Sequence, residues 1–193
     1  MSSVIERTLP RQLEKTIDDL IAELYRTEGK AEIINGEIVE FMATGDEPGT
    51  AAFNIGFSLK IYQRQTTLGR VYGDNVGFLV NLPHRKSFSP DVSFFVGERT
   101  GMKFLQGAPL FAVEVRSEND YGARAEKEIA DKRADYFAAG TEIVWDVDLQ
   151  SADVIKSYAR ANPNEARIFR RGDVADAEPA LPAWKILVDE LFE

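Results

Sequence analysis

The stretch "AEIINGEIVEFMA", residues 31–43, restricts the fold of this chain more than any other. Asn35-Gly36 stands between two runs that are rich in residues favouring β-strands. This pair is typical of a type I′ turn, which joins two antiparallel strands in one fixed register. The sequence therefore predicts a β-hairpin close to the N-terminus.

Helical and strand patterns both occur in the rest of the chain, without strict alternation of one strand and one helix. Apolar residues at helical spacing predict helices over 11–25, 50–65 and 122–139. Short apolar runs predict strands near 70–73, 77–81, 91–96, 110–116, 141–149, 153–160 and 165–172. These patterns predict an α+β (mixed α/β) fold with a central twisted mixed sheet flanked by helices. We expect a single domain over 1–193, with 1–48 as an N-terminal helix and hairpin extension and with the C-terminal segment packed back on the body.

Composition excludes several kinds of chemistry. The chain has no cysteine and a single histidine, so disulfides, thiolate metal sites and the usual zinc sites are not expected. Neither a nucleophile elbow nor a Gly-rich phosphate loop occurs in the sequence. The sequence also contains no apolar run long enough for a membrane span and no N-terminal secretory pattern, so we expect a cytoplasmic protein.

The net charge of -9 bears on possible partners, because proteins that bind nucleic acid usually carry a basic surface. Binding to nucleic acid would here need a local basic patch. The sequence offers three candidate stretches, and the alternative interpretation is that their charges are simply solvated. These stretches are 83–86, 122–136 and 166–172.

Two carboxylates occur where buried strands are predicted. Glu114 lies within the apolar run "LFAVEVRS", residues 110–117, and Asp91 follows a proline at the start of another strand. An unpaired charge inside a buried strand is costly, so each carboxylate needs a partner. If the two strands pair, both carboxylates come together and can bind a hard cation such as Mg²⁺. The alternative is a salt bridge between Glu114 and Arg116, which share one strand face.

The order of these residues resembles a known superfamily. Pro90-Asp91 followed by Glu114-Val115-Arg116 resembles the PD-(D/E)XK phosphodiesterases. Over most of the chain the sequence is similar to one branch of it, the Uma-two endonuclease-like family of bacterial proteins. The stretches that carry this similarity are the hairpin, "SPDVSFF", "FAVEVRSENDYG", "KRADYFAAGTEIVWDVD" and "LPAWKILVDELF".

The resemblance implies a restriction-endonuclease-like fold and a set of site residues. Asp91 and Glu114 would be the metal carboxylates, for Mg²⁺ or Mn²⁺. The lysine of the superfamily would lie on the following helix as Lys132, four residues before Tyr136. An alternative for this lysine is an exposed pair with Glu128.

Two further residues complete the expected site. Arg116 occupies the position where the superfamily usually has its lysine, and it would hold a phosphate or a ligating carboxylate. The hairpin offers Glu32 and Glu37 as an additional acid, and Glu37 matches the family pattern better. We therefore expect Glu37 to complete the metal site.

The resemblance implies a metal-dependent endonuclease that hydrolyses phosphodiester bonds of nucleic acid, with DNA as the expected substrate. We also expect a homodimer, since apolar edge strands and the C-terminal segment could pair two copies. Two departures from the family pattern weaken the case for catalysis. No histidine lies near position 50, and the segment between Glu114 and Lys132 is longer by about one helical turn. The alternative is a non-catalytic nuclease-like scaffold that binds nucleic acid or a protein partner.

Overall fold

The computed structural model describes residues 15–193. Thr16 begins the first helix as its N-cap, because its hydroxyl accepts a hydrogen bond from the backbone N–H of Asp19. The third helix ends at Gly140, whose φ of 111° suits glycine. The helices are α1 (Ile17–Leu24), α2 (Asp46–Thr66) and α3 (Ala123–Ala139), and a short 3₁₀ helix spans Val188–Phe192. All three predicted helices occur, although residues 11–14 of the first lie outside the described residues.

The strands agree with the predicted positions and add several short ones. They are β1 (Lys30–Ile34), β2 (Glu37–Phe41), β3 (Arg70–Tyr72), β4 (Phe78–Leu79), β5 (Ser87–Phe88), β6 (Val92–Phe95), β7 (Leu105–Gln106), β8 (Phe111–Val115), β9 (Ile143–Val147), β10 (Ile155–Ala159), β11 (Asn162–Phe169), β12 (Val174–Asp176) and β13 (Lys185–Leu187).

The central sheet has six strands in the order β11-β10-β9-β8-β6-β3. Neighbours run antiparallel except β8 and β9, which are parallel. One face packs against α2 and the C-terminal segment around Phe111 and Trp145, and the opposite face packs against α3 through Tyr136. This mixed sheet between helices confirms the predicted fold class.

The hairpin forms as its turn sequence predicts. Ile34 pairs with Glu37, and Asn35 and Gly36 have φ angles of 52° and 78°, as a type I′ turn requires. The backbone N–H of Ile33 donates to Ser87 Oγ at 2.7 Å, which ties β1 to the segment beside β5. Lys30 and Glu32 alternate with inward apolar residues along β1, so both side chains face the same side.

The C-terminal segment packs back on α2, as expected from the sequence. Asn54 Nδ2 donates to the backbone oxygens of Glu190 (2.9 Å) and Glu193 (3.1 Å). Trp184 is buried in the core beside Phe111, and its indole N–H donates to Ser58 Oγ at 3.2 Å. None of the helices within residues 15–193 has the length and apolar character needed to cross a membrane.

Candidate active site

Pairing of β6 with β8 brings the two predicted carboxylates side by side. Val92 lies opposite Val113, so the next positions along the two strands are Asp91 and Glu114. The backbone N–H of Asp91 donates to Val113 O at 3.1 Å, and the N–H of Val115 donates to Asp91 Oδ2 at 2.7 Å. Asp91 therefore sits at the start of its strand with its carboxylate fixed by the neighbouring strand, as predicted.

Helix α3 supplies a lysine and a tyrosine to Glu114. Lys132 Nζ lies 2.9 Å from Glu114 Oε1, and the Tyr136 hydroxyl donates to the same oxygen at 2.6 Å. Their four-residue spacing places both side chains on one helix face. The alternative partner of Lys132, Glu128, instead contacts Arg124 on the exposed side of α3. Lys132 thus contacts Glu114 and not Glu128, and its catalytic role stays a prediction.

The hairpin contributes Glu32 rather than Glu37 to this cluster. Glu32 is fully buried and accepts hydrogen bonds from the backbone N–H of Ser89 (2.9 Å) and from Arg85, and Lys132 Nζ lies 3.1 Å from it. Glu37 is exposed because it lies directly after the turn of the hairpin. Glu32 lies on β1, two positions further from the turn than Ile34, the residue that pairs with Glu37. A metal role for Glu37 stays a prediction, and Glu32 is the better placed of the two.

A second lysine reaches the site from β1 without having been predicted. Lys30 Nζ contacts Asp91 Oδ1 and lies 2.8 Å from Asp74 Oδ1, and its side chain is 12% exposed. Period-two alternation in β1 places Lys30 on the same face as Glu32, so the sequence carried a signal for it. The alternation alone does not show that this face of β1 contacts Asp91, because that depends on how the hairpin packs against the rest of the protein.

Arg116 takes part in a separate, buried ion pair. Its guanidinium makes two hydrogen bonds of 2.7 Å to Asp146 on β9 and also contacts Glu126 on α3. Asp146 lies opposite Glu114 in the parallel pairing of β8 and β9. The alternative salt bridge between Glu114 and Arg116 is not found, and Arg116 instead fixes the end of β8 against α3. Contact of Arg116 with a phosphate stays a prediction.

Behind Glu32, a further chain of charged groups extends to the surface. Arg85 Nε donates to Asp135 Oδ2 at 2.7 Å, and His84 Nε2 lies 2.7 Å from Asp135 Oδ1. The His84 side chain is 53% exposed, although its partner Asp135 is buried. This chain holds Arg85 in place and, through Arg85, the carboxylate of Glu32.

Burial and neighbouring charges shift the pKa values of the central groups. Burial raises the pKa of Glu114, and the nearby Asp91 and Glu32 raise it further against the opposing effect of Lys132. Burial lowers the pKa of Lys132, but Glu114 and Glu32 outweigh burial and the net pKa is raised. Burial, followed by Glu114, raises the pKa of Tyr136. At neutral pH Lys132 is therefore an ammonium and Tyr136 a neutral phenol.

The connected ion pairs leave an excess of negative charge. Lys30, Lys132 and Arg85 each contact two acids. Together these three cations contact five carboxylates, those of Glu32, Asp74, Asp91, Glu114 and Asp135. Within residues 15–193 no group of three or more histidine or acidic side chains is arranged to hold a metal ion. Mg²⁺ commonly binds through one or two carboxylates together with water and substrate phosphates. The oxygen donors of Asp91 and Glu114, beside uncompensated negative charge, fit such an ion.

Comparison with known proteins agrees with this fold. The central mixed sheet, flanked by helices and carrying paired carboxylates beside a lysine, places the chain in the restriction-endonuclease-like class. A crystal structure of a "putative nuclease belonging to DUF820" from Anabaena variabilis matches with a TM-score of 0.68 at 15% identity, over 89% of this chain and 96% of that one. This likeness shows the fold.

The family follows from the sequence itself. The chain belongs to the Uma2 family, described as "Putative restriction endonuclease", whose family model matches residues 18–189. The resemblance seen in the sequence is thereby confirmed, and family and fold together support a nuclease. No curated protein matches the chain.

Proposed function

We propose that this protein is a metal-dependent endonuclease that hydrolyses phosphodiester bonds of nucleic acid, with DNA as the expected substrate. One observation carries the proposal. Asp91 and Glu114 lie side by side at the paired ends of β6 and β8, and Lys132 Nζ lies 2.9 Å from Glu114. Two carboxylates and a lysine in this arrangement are suited to phosphoryl chemistry, in which positioning and charge stabilisation supply most of the catalysis.

Asp91 and Glu114 are the residues that would hold the metal ion, Mg²⁺ or Mn²⁺. A bound divalent ion would supply polarisation of the phosphate and a lowered pKa of a bound water. Glu114 is suited to this role because its Oε1 is fixed by Lys132 and Tyr136, and its side chain is 24% exposed. Solvent and substrate can therefore reach it, whereas Glu32 is wholly enclosed.

Lys132 has the charge and the position to stabilise the transition state. Its raised pKa keeps it protonated, so it acts as a hydrogen-bond donor and not as a general base. Its side chain is 17% exposed, which leaves it accessible from the site. Glu32 is a positioning residue, because it orients Lys132 while Arg85 and Ser89 hold Glu32. Donors fixed in this way are worth about 10²–10³ in rate.

A nicking assay on supercoiled DNA and on single-stranded DNA and RNA, over a panel of divalent metals, tests the proposal. We expect cleavage with Mg²⁺ or Mn²⁺, and we expect Asp91→Ala and Glu114→Ala to abolish it while both variants remain folded. Glu128→Ala, which removes an exposed carboxylate that pairs with Arg124 on α3, is the matched control. Glu37→Ala tests separately whether Glu37 contributes to the metal site. Equal cleavage by the Asp91→Ala/Glu114→Ala double variant would show that the activity belongs to another site or a contaminant.

The second candidate function is a nuclease-like scaffold that binds without cleaving. The net charge of -9 favours it, because an acidic protein repels a polyanionic substrate. Thermal unfolding with and without millimolar Mg²⁺ or Mn²⁺ separates the two, since a ligand that binds only the folded state raises the melting temperature. No shift in wild type would favour the scaffold, and a shift that is lost in Asp91→Ala would favour the enzyme.

The homodimer also remains a proposal. Light scattering at high micromolar concentration measures the mass directly, and a monomer there would contradict it. Contact through a symmetric interface is the commonest route to a dimer in soluble proteins.

A further inference from the structure

A groove runs along α2 and opens beside Asp91. Its volume is about 490 Å³, which lies within the range of ligand pockets, about 300–1,000 Å³. Helix α2 forms one wall, and the end of β3 with the residues after it forms the other. Glycines at 49, 56 and 73 leave part of the surface without side chains, and the main side chains are Phe53, Phe57, Lys60, Val71, Asp74 and Asp91.

Two exposed aromatic rings lie in this groove. Phe53 is 72% exposed and Phe57 is 60% exposed. Their ring centroids are 6.5 Å apart and the planes differ by 15°. The core face of α2 is made by other residues, among them Ile55 and Leu59, so the two phenylalanines do not serve the core. Neighbouring exposed aromatic side chains beside a candidate active site indicate a binding surface.

Lys60 adds a positive charge one helical turn beyond Phe57. Its Nζ lies 3.2 Å from Gln63 Oε1, and no carboxylate within residues 15–193 lies at ion-pair distance from it. Among the exposed cations of residues 15–193, Arg26, Arg64, Arg99, Lys103 and Lys185 likewise have no acid at ion-pair distance, whereas others form pairs with acids. Such pairs are Arg124–Glu128, Lys127–Asp131, Arg167–Asp176, Arg170–Asp153 and Arg171–Asp189.

We propose that the groove is a subsite that stacks an unpaired nucleobase of the strand whose phosphate lies at Asp91. The inference rests on the proposed nuclease function and names its substrate class, a nucleic acid strand with unpaired nucleotides. Every base has a flat π-face that an aromatic side chain can stack on, and Lys60 would face the adjacent backbone. In a duplex the bases are already stacked on one another, so a base can enter the groove only from an unpaired segment or after leaving the stack.

The charge distribution supports unpaired strands over intact duplex. A protein that grips duplex DNA neutralises several phosphates with arginine and lysine. Here the net charge is -9, and several surface cations of the described residues are occupied by acids. Part of the affinity would then come from contacts other than phosphate neutralisation. Stacking of bases on Phe53 and Phe57 supplies such a contact.

Fluorescence anisotropy in metal-free buffer tests the subsite without any cleavage. The probes are a labelled thymidine oligonucleotide, an abasic deoxyribose-phosphate strand of the same length, and a blunt duplex. We expect the full-length protein to bind the thymidine strand more tightly than the other two. Loss of one stacked base is worth about 1–3 kcal/mol, so Phe53→Ala and Phe57→Ala should each weaken binding roughly 5- to 150-fold.

Two further variants make the test specific. Phe57→Trp should retain the affinity and show fluorescence quenching as the base stacks on the new indole. Phe192→Ala removes a 38% exposed aromatic ring that packs on Arg171, outside the groove, and should leave binding unchanged. Circular dichroism confirms that each variant is folded.

The contrary outcomes are distinct. The inference is wrong if wild type does not bind the thymidine strand, binds the abasic strand equally well, or is unaffected by Phe53→Ala and Phe57→Ala. If those variants instead dissociate a dimer in light scattering with affinity unchanged, the groove is a contact between copies and the inference is also wrong. A third outcome is that the protein binds the thymidine strand in a way that depends on Phe57 but cleaves no nucleic acid with any metal. The subsite would then stand, and the nuclease proposal would be wrong.

Discussion

Lys132 links the stability of the protein to its proposed chemistry. It lies between Glu114 and the wholly buried Glu32, so it neutralises a carboxylate that water cannot reach. Removal of one partner from a buried ion pair leaves an uncompensated charge and is strongly destabilising. Lys132 is therefore needed by the fold as well as by the site.

We expect Lys132→Met to slow cleavage about 10²- to 10³-fold and to lower the free energy of unfolding by about 3 kcal/mol, at the low end for broken buried pairs because Arg85 still contacts Glu32. Urea denaturation measures this change. The double variant Lys132→Met/Glu32→Gln should regain much of the stability but no activity, since the buried charge has been removed with its partner. A Lys132→Met variant as stable as wild type would contradict this role.

Glu114 shows the opposite relation between stability and function. Its pKa is raised, first by burial and then by Asp91 and Glu32, so ionisation of Glu114 opposes folding. Because the pKa of Glu114 is higher in the folded than in the unfolded protein, its protonated form favours folding. This stabilisation is fully present below the ordinary glutamate pKa of 4.5 and is lost as the pH rises through the raised pKa. Above its raised pKa, Glu114 is therefore an ionised carboxylate that opposes folding.

We expect Glu114→Gln to raise the melting temperature in metal-free buffer at a pH above the raised pKa of Glu114, and to eliminate cleavage. The gain should shrink as the pH falls below the raised pKa, because wild-type Glu114 is then protonated and neutral as well. Thermal unfolding over a pH series measures both effects. A gain that is constant with pH, or a loss of stability above the raised pKa, would show that the charge of Glu114 is not the cause.

At the scale of elements, the hairpin positions half of the charged cluster. β1 carries Lys30 to Asp91 and Glu32 to Lys132, and the type I′ turn fixes the register that places both side chains on one face. A slip of one residue would turn both side chains away from the site. The turn therefore affects the site although it makes no contact with it.

We expect Gly36→Ala to destabilise the protein by about 1–2 kcal/mol, because Gly36 has a φ of 78° and a β-carbon is unfavourable in that conformation. No atom lies within 4 Å of the position of an added Cβ, so the cost comes from the backbone alone. Asn35→Gly, at the other positive φ of the turn, is the control and should be tolerated. Denaturant unfolding of both variants measures the difference, and equal stability would contradict the argument.

The sequence predicts the elements of this fold better than it predicts how they meet. Strand patterns place Asp91 and Glu114 on two strands that could pair, and the family resemblance adds Lys132; the structure supplies the pairing of β6 with β8 that brings the carboxylates together. The sequence does not suffice to choose Glu32 over Glu37, because both are charged residues of one hairpin and only its docking against the β5 segment decides which is enclosed. The contribution of Arg85 depends on the same docking, and it comes from a loop that has no periodicity.

At the scale of the whole molecule, the chain combines an acidic net charge with surface cations of which several, within residues 15–193, are paired to acids. The three basic stretches identified in the sequence include several of these paired residues, and Arg85 within the first is buried in the site. A basic patch that grips nucleic acid therefore remains a prediction. From the acidic net charge and these pairs we expect that few phosphates are contacted.

We expect the affinity for single-stranded nucleic acid to depend only weakly on salt. Each neutralised phosphate of a single strand contributes about 0.7 to the slope of log K against log salt concentration, so contact through Lys60 and the site lysines should give a slope near -2. Binding measured over a salt series determines it. Asp131→Asn and Asp153→Asn, which free Lys127 and Arg170 from exposed pairs, should each steepen the slope by less than one phosphate while changing stability by at most about 1 kcal/mol. A wild-type slope as steep as that of proteins contacting about six phosphates or more would show that a basic surface exists that the paired charges conceal.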